Sequence, residues 1–116
     1  MLGRDAFRKP QERRKTVVEI PELGGKVIVQ SMTARERGVY ESQFLTKKGE
    51  LRQSTSRARE LLAIATCVDE QGNKLFTDSD LEMLGSVDAK ILERISKASQ
   101  ELSDISDKDL DDLAKN

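Results

Sequence analysis

Apolar residues recur along this chain at two spacings. The run "TVVEIPELGGKVIVQSM" holds two β-branched stretches, Thr16–Ile20 and Lys26–Ser31, separated by Pro-Glu-Leu-Gly-Gly. β-Branched side chains suit a pleated, half-buried surface, and Gly24 and Gly25 give the backbone freedom to reverse, so this stretch predicts a β-hairpin. A hairpin alone is too small to be stable and must lay one face on other elements. From Thr33 onward the spacing becomes helical. "TARE", Thr33 to Glu36, is a capping box, in which the Thr33 hydroxyl accepts from the Glu36 amide and the Glu36 carboxylate accepts from the Thr33 amide. The helix it opens carries Tyr40 and Phe44 and ends before Gly49, and "LRQSTS" reads as a polar loop.

A second helix is predicted from about Thr55 to Val68, with Ala58, Leu61, Leu62, Ala65 and Val68 on one stripe. A turn at Glu70-Gln71-Gly72-Asn73 follows, then a short extended piece at Leu75 and Phe76. Thr77 caps a short helix holding Leu81 and Leu84, which Gly85 ends. Ser86 is expected to cap the next helix, whose apolar face is Ile91, Leu92, Ile95, Ala98 and Leu102. A last segment, Ser106 to about Ala114, offers only Leu110 and Leu113, and a helix so short and acidic is marginal alone. The expected fold is therefore α+β: one mainly helical domain with an N-terminal β-hairpin packed on about four or five helices.

Charge divides this chain of 116 residues into three parts. Residues 1–16 carry a net +4 and residues 101–116 a net −4, while the whole chain is at −1. Residues 1–15 lack apolar periodicity and contain Pro10, so they read as a flexible basic arm; residues 16–102 form the folded domain, and 103–116 a short acidic C-terminal segment. The opposed ends read first as solvated tails, and they also offer one means of weak head-to-tail self-association. No apolar run approaches the roughly 18 residues a membrane span needs, and the start has no secretory h-region. One cysteine, Cys67, forms no intramolecular disulfide and fits a reducing compartment; in an amphipathic helix it reads as a small buried thiol.

The stretch "CVDEQGNKLFTDSD", Cys67 to Asp80, has the acids and the glycine of a calcium loop without their spacing. Aligning Gly72 with the turn position puts the Cys67 thiol first among the ligands and a short Asp78 last. Starting at Asp69 instead puts Lys74 where the glycine belongs. Neither register makes a cation site, so no metal is expected. Histidine is absent from the chain, a lone cysteine makes no zinc site, and no phosphate-binding loop appears. Enzymatic activity and cofactors are accordingly not expected. Arg8 to Lys15, "RKPQERRK", could bind nucleic acid through phosphates, but only Phe7 interleaves its cations and no recognition helix is evident.

Taken in order, "VVEIPELGGKVIVQSMTARER" and "RARELLAIATCVDEQGNKLFTDSDLEMLGSVDAKILERISKASQELS" resemble the tail assembly chaperones of long-tailed bacteriophages, over residues 16 to 114. The resemblance implies a chaperone domain at 16–102 with no catalytic role. Its partner would be the tape measure protein, a long helical polypeptide kept soluble until tail tube subunits polymerise round it. It further implies action in the host cytoplasm, absence from the mature virion and weak homo-oligomers. A longer form made by ribosomal frameshifting would reach the tail tube protein; "AKN" at Ala114 to Asn116 can be encoded with a slippery A-AAA-AAC. The partner-binding residues expected on physical grounds are Ile105, Leu110 and Leu113, apolar positions on a marginal segment that orders on binding. The alternatives are a structural virion component such as a head–tail connector, or a small nucleic-acid-binding protein that uses its basic arm.

Overall fold

The computed structural model describes residues 1–43 and 57–103. Their elements follow in the order α1 (Asp5–Arg8), β1 (Lys15–Ile20), β2 (Gly25–Gln30), α2 (Ala34–Ser42), α3 (Ala58–Thr66), β3 (Cys67–Val68), α4 (Leu81–Gly85) and α5 (Ala89–Ser103). The class is α+β, as the pattern predicts. β1 and β2 pair antiparallel with Val18 opposite Val27 and Thr16 opposite Val29. A 3₁₀ turn over Pro21–Leu23 joins them, and Gly24 closes it at φ +72° with its amide donating to the Pro21 carbonyl. Of the two glycines in this turn, Gly24 is the one that needs the left-handed region.

The sheet has a third strand that the helical spacing concealed. The helix predicted to run to Val68 stops at Thr66, and Cys67 turns to extended backbone (φ −77°, ψ 131°). Cys67 then pairs with Val29 and Val68 with Ile28, so the sheet order is β1-β2-β3. Two residues fit either a helical stripe or a strand, and pairing to β2 decides between them. The chain returns through the turn expected at Glu70–Asn73, which Asp69 opens: its amide donates to the Asn73 carbonyl and its carbonyl accepts from the Gly72 amide. The Asp69 carboxylate accepts from the amides of Gln71 and Asn73, and Gly72 sits at φ +86°. Lys74 bridges to Val68, and the Leu75 amide donates to the Cys67 carbonyl.

Helix starts follow local chemistry. Both bonds of the Thr33–Glu36 capping box form, at 3.1 and 2.9 Å. At the next start the Thr77 amide donates to Asp80 at 2.8 Å. α5, however, is capped by Asp88 and not by Ser86: the Asp88 carboxylate accepts from the Lys90 amide at 2.9 Å. The Ser86 hydroxyl turns back to the Glu82 carbonyl, closing α4. Starting α5 two residues later leaves Val87 packed against the core.

The core has two parts with α3 between them. Val18, Ile20 and Val29 of the sheet meet Ala63, Cys67, Leu84, Ile91, Leu92 and Ile95 in the larger part. Tyr40 and Leu62 centre the smaller, with Met32, Ala58, Leu61 and Ala65 around them. α3 is thus buried on two sides, and its apolar stripe describes only the side turned to α2. The other side reaches α5 through Thr66, buried with Ser99 and Ser96. Cys67 is fully buried as expected for a structural thiol, and burial pushes its pKa up to about 12.

Candidate functional site

A groove of about 450 Å³ opens between α2, α3 and the segment that follows the Asp69 turn. Its floor is apolar: Val39 and Tyr40 from α2, Leu61 and Ile64 from α3, and Phe76. Helical spacing explains why these residues converge. Val39 lies one position before Tyr40, so when Tyr40 turns into the smaller core Val39 is carried to its rim, 59% exposed. Leu61 and Ile64, three apart on α3, flank the buried Leu62–Ala63 pair and line the same opening. Arg35, Glu36, Lys74 and Asp78 give the groove a charged rim.

Glu36 ties that rim together. Its carboxylate accepts from the Thr33 amide, takes the Arg13 guanidinium from the N-terminal segment, and meets Lys74 Nζ at 2.9 Å. Lys74 also donates to the Ala65 carbonyl, and Arg13 to the Ser31 carbonyl. Burial opposes ionisation of Glu36, but the Thr33 amide, Lys74 and Arg13 outweigh it and hold the carboxyl below its ordinary range. The N-terminal segment, α2 and the post-turn segment are therefore fastened at one point on the groove wall. Burial raises the Tyr40 hydroxyl above its usual pKa, which keeps the phenol neutral beneath the groove.

Ile105, Leu110 and Leu113 lie outside the described residues, as does Phe44. α5 ends against α2, where the Ser103 carbonyl accepts from Arg37 at 3.1 Å, and neither residue lines the groove. In the basic arm, Arg8 pairs with Asp5 at 3.3 Å in the single turn of α1, and Phe7 is exposed. Sequence reasoning singled out Tyr40, Leu61 and Phe76 as core or extended positions and passed over Val39 and Ile64. A usable signal was present, since Val39 and Ile64 are apolar residues that fall beside the buried stripes instead of within them.

Among the described residues no helix is long and apolar enough to cross a membrane. No protein-family model and no curated protein matches the sequence. Among solved structures, the fold is similar to that of the bacteriophage HK97 tail assembly chaperone, with a TM-score of 0.62 over 90% of this chain and 94% of that one, at 19% identity. At this identity the likeness is one of fold, and it agrees with the α+β architecture expected from the order of elements in the sequence.

Proposed function

We propose that this chain is a phage tail assembly chaperone that binds the tape measure protein and holds it soluble during tail morphogenesis. The observation that carries this reading is the likeness of fold along nearly the whole length of both chains. Physical chemistry supports it. A long helix with exposed apolar surface aggregates unless it is covered. Many copies of a small domain with 35% charged residues give such a helix a soluble exterior. Each copy must leave when the tail tube arrives, so shallow apolar surfaces suit the task better than deep pockets.

The domain offers such a surface in the groove lined by Val39, Leu61, Ile64 and Phe76, with Ile105, Leu110 and Leu113 as further apolar contacts from the C-terminal segment. In this reading the protein makes and breaks no covalent bonds and requires no cofactor. It works in the host cytoplasm, self-associates weakly along its client and is absent from the finished virion. A frameshifted longer form would add contacts to the tail tube protein.

Co-expression with the tape measure gene product tests the proposal. The expected result is a soluble, co-purifying tape measure protein, with recovery reduced by the double substitution Leu110→Ser and Leu113→Ser while the fold persists. A tape measure protein that stays insoluble, or recovery of this chain in purified virions, would overturn it; the second outcome would make the chain a structural component.

A further inference from the structure

β1 is an edge strand, and its outward side is self-complementary. The Ser31 amide donates to the Arg14 carbonyl at 2.8 Å, so Arg14 faces β2. Backbone groups alternate along a strand, so Thr16, Val18 and Ile20 also bond to β2, and Lys15, Val17 and Glu19 turn their amides and carbonyls outward. Among the described residues the only partner of these outward groups is a long 3.4 Å contact from Arg94 to the Glu19 carbonyl. No proline falls within Lys15–Ile20. An open edge of this kind is a template for another strand.

The outer face of the sheet identifies that strand. Val17 lies opposite Ile28, and Ile28 opposite Val68, forming one row of β-branched side chains across three strands. Burial falls along the row from Val68 at 2% exposed, through half-buried Ile28, to Val17 at 53%. The row therefore ends at Val17 for want of a neighbour. Lys15 and Glu19 flank Val17 on the same face, two residues to either side.

We propose that β1 pairs antiparallel with β1 of a second copy, centred on Val17. In that register Val17 faces Val17, and Lys15 of each copy faces Glu19 of the other. All three outward-facing residues exchange backbone hydrogen bonds, because the symmetric register places outward groups opposite outward groups. The apolar row continues unbroken from Val68 of one copy to Val68 of the other. Glu19, already opposite Lys26 within its own hairpin, gains a second cation on its open side. The contact is isologous and closes at two copies. Six-residue strands bury far less than a standard interface, so the dimer is weak and concentration-dependent. The pairing deepens the self-association in the proposed function but stands on strand geometry, and its failure leaves binding of the tape measure protein untouched.

Sedimentation velocity of the full chain alone, over a concentration series at low and high salt, tests the pairing. Wild type should dimerise with rising concentration and less so at high salt. Val17→Pro removes the central outward amide without taking a bond from the β1–β2 ladder, and should weaken dimerisation at least tenfold. Lys15→Glu and Glu19→Lys should each weaken it, and the double exchange should restore it. Circular dichroism checks that each variant is folded; if Val17→Pro is not, the charge exchange decides alone. A wild-type chain that stays monomeric, a dimer indifferent to Val17→Pro in the folded state, or a double exchange that restores nothing would overturn the proposal.

Discussion

The hydroxyls of Thr66 and Ser99 lie 2.7 Å apart where α3 packs on α5, both fully buried. Each also approaches the carbonyl one turn back in its own helix, Leu62 at 2.7 Å and Ile95 at 2.9 Å. A hydroxyl has one proton, so one of the pair donates across the interface and the other to its own helix. Removing one partner leaves the other a local acceptor. Ser99→Ala should therefore cost only about 1 kcal/mol. Ser99→Leu should cost about 1–3 kcal/mol through overpacking. Urea denaturation of the two variants against wild type measures both, and equal losses would show that the site is not tightly packed.

Glu36 links the N-terminal segment, α2 and the groove wall, and its folded pKa is depressed below 4.5. Such a carboxyl ionises more readily in the folded chain than in the unfolded one. Its stabilisation is complete above about pH 4.5 and is lost as pH falls through the folded value. Glu22 behaves likewise over a defined window: hydrogen bonding to Arg94 lowers it to about 2, so its contribution fades between pH 4.5 and about 2. Glu36→Gln should flatten the acid limb of a stability–pH curve measured by denaturant midpoint. The same variant at pH 7 should lose about 1–3 kcal/mol, since hydrogen bonds to a charged group are given up.

Much of this fold was legible because local chemistry and tertiary packing agree. The hairpin, the Thr33–Glu36 box and the Ile91–Leu102 face each follow from local residue types and their spacing, and each forms. Where reading failed, tertiary pairing overrode a local pattern. Val68 fits the helical stripe begun at Ala58, yet β2 draws it into the sheet. Ser96 and Ser99 are polar by composition yet buried, because close α3–α5 packing selects small side chains. The groove was less legible still. It is made by residues adjacent to core positions on separate elements, and their convergence depends on how α2 and α3 cross. The C-terminal apolar positions Ile105, Leu110 and Leu113 fall outside the described residues, so their part rests on the co-expression test.

Gly24 and Gly72 occupy the left-handed region at φ +72° and +86°, and a Cβ at either would meet nothing within 4 Å. The cost of alanine there is conformational alone, about 1–2 kcal/mol. Gly24→Ala and Gly72→Ala should each lower the thermal midpoint by several degrees, and Gly24→Asn by less, since Asn tolerates this region. A Gly24→Asn variant as unstable as Gly24→Ala would point to a lost contact instead of backbone strain.

Cys67 reports on opening of the core. It is fully buried, and with its pKa pushed up to about 12 the reactive thiolate is scarce at neutral pH. An aromatic disulfide reagent should label the unfolded chain at once and the native chain only as fast as it opens. Labelling that tracks added denaturant in parallel with circular dichroism is the expected outcome. Rapid native labelling would mean that β3 detaches from β2 without global unfolding.

Val39 lets the proposed binding role of the groove be tested apart from folding. It is 59% exposed on α2, beside Tyr40, which is buried. Val39→Asp removes apolar surface from the groove wall and adds an anion to its rim, while the fold should lose little, since Val and Asp have similar helix propensities. Under the proposed function, recovery of soluble tape measure protein on co-expression should fall, and apparent affinity for it should drop at least tenfold, equivalent to about 1.4 kcal/mol. Val39→Leu should restore binding, because it keeps the apolar wall. If Val39→Asp folds and still solubilises its client as wild type does, the groove is not the contact surface, and the C-terminal leucines become the site to substitute next.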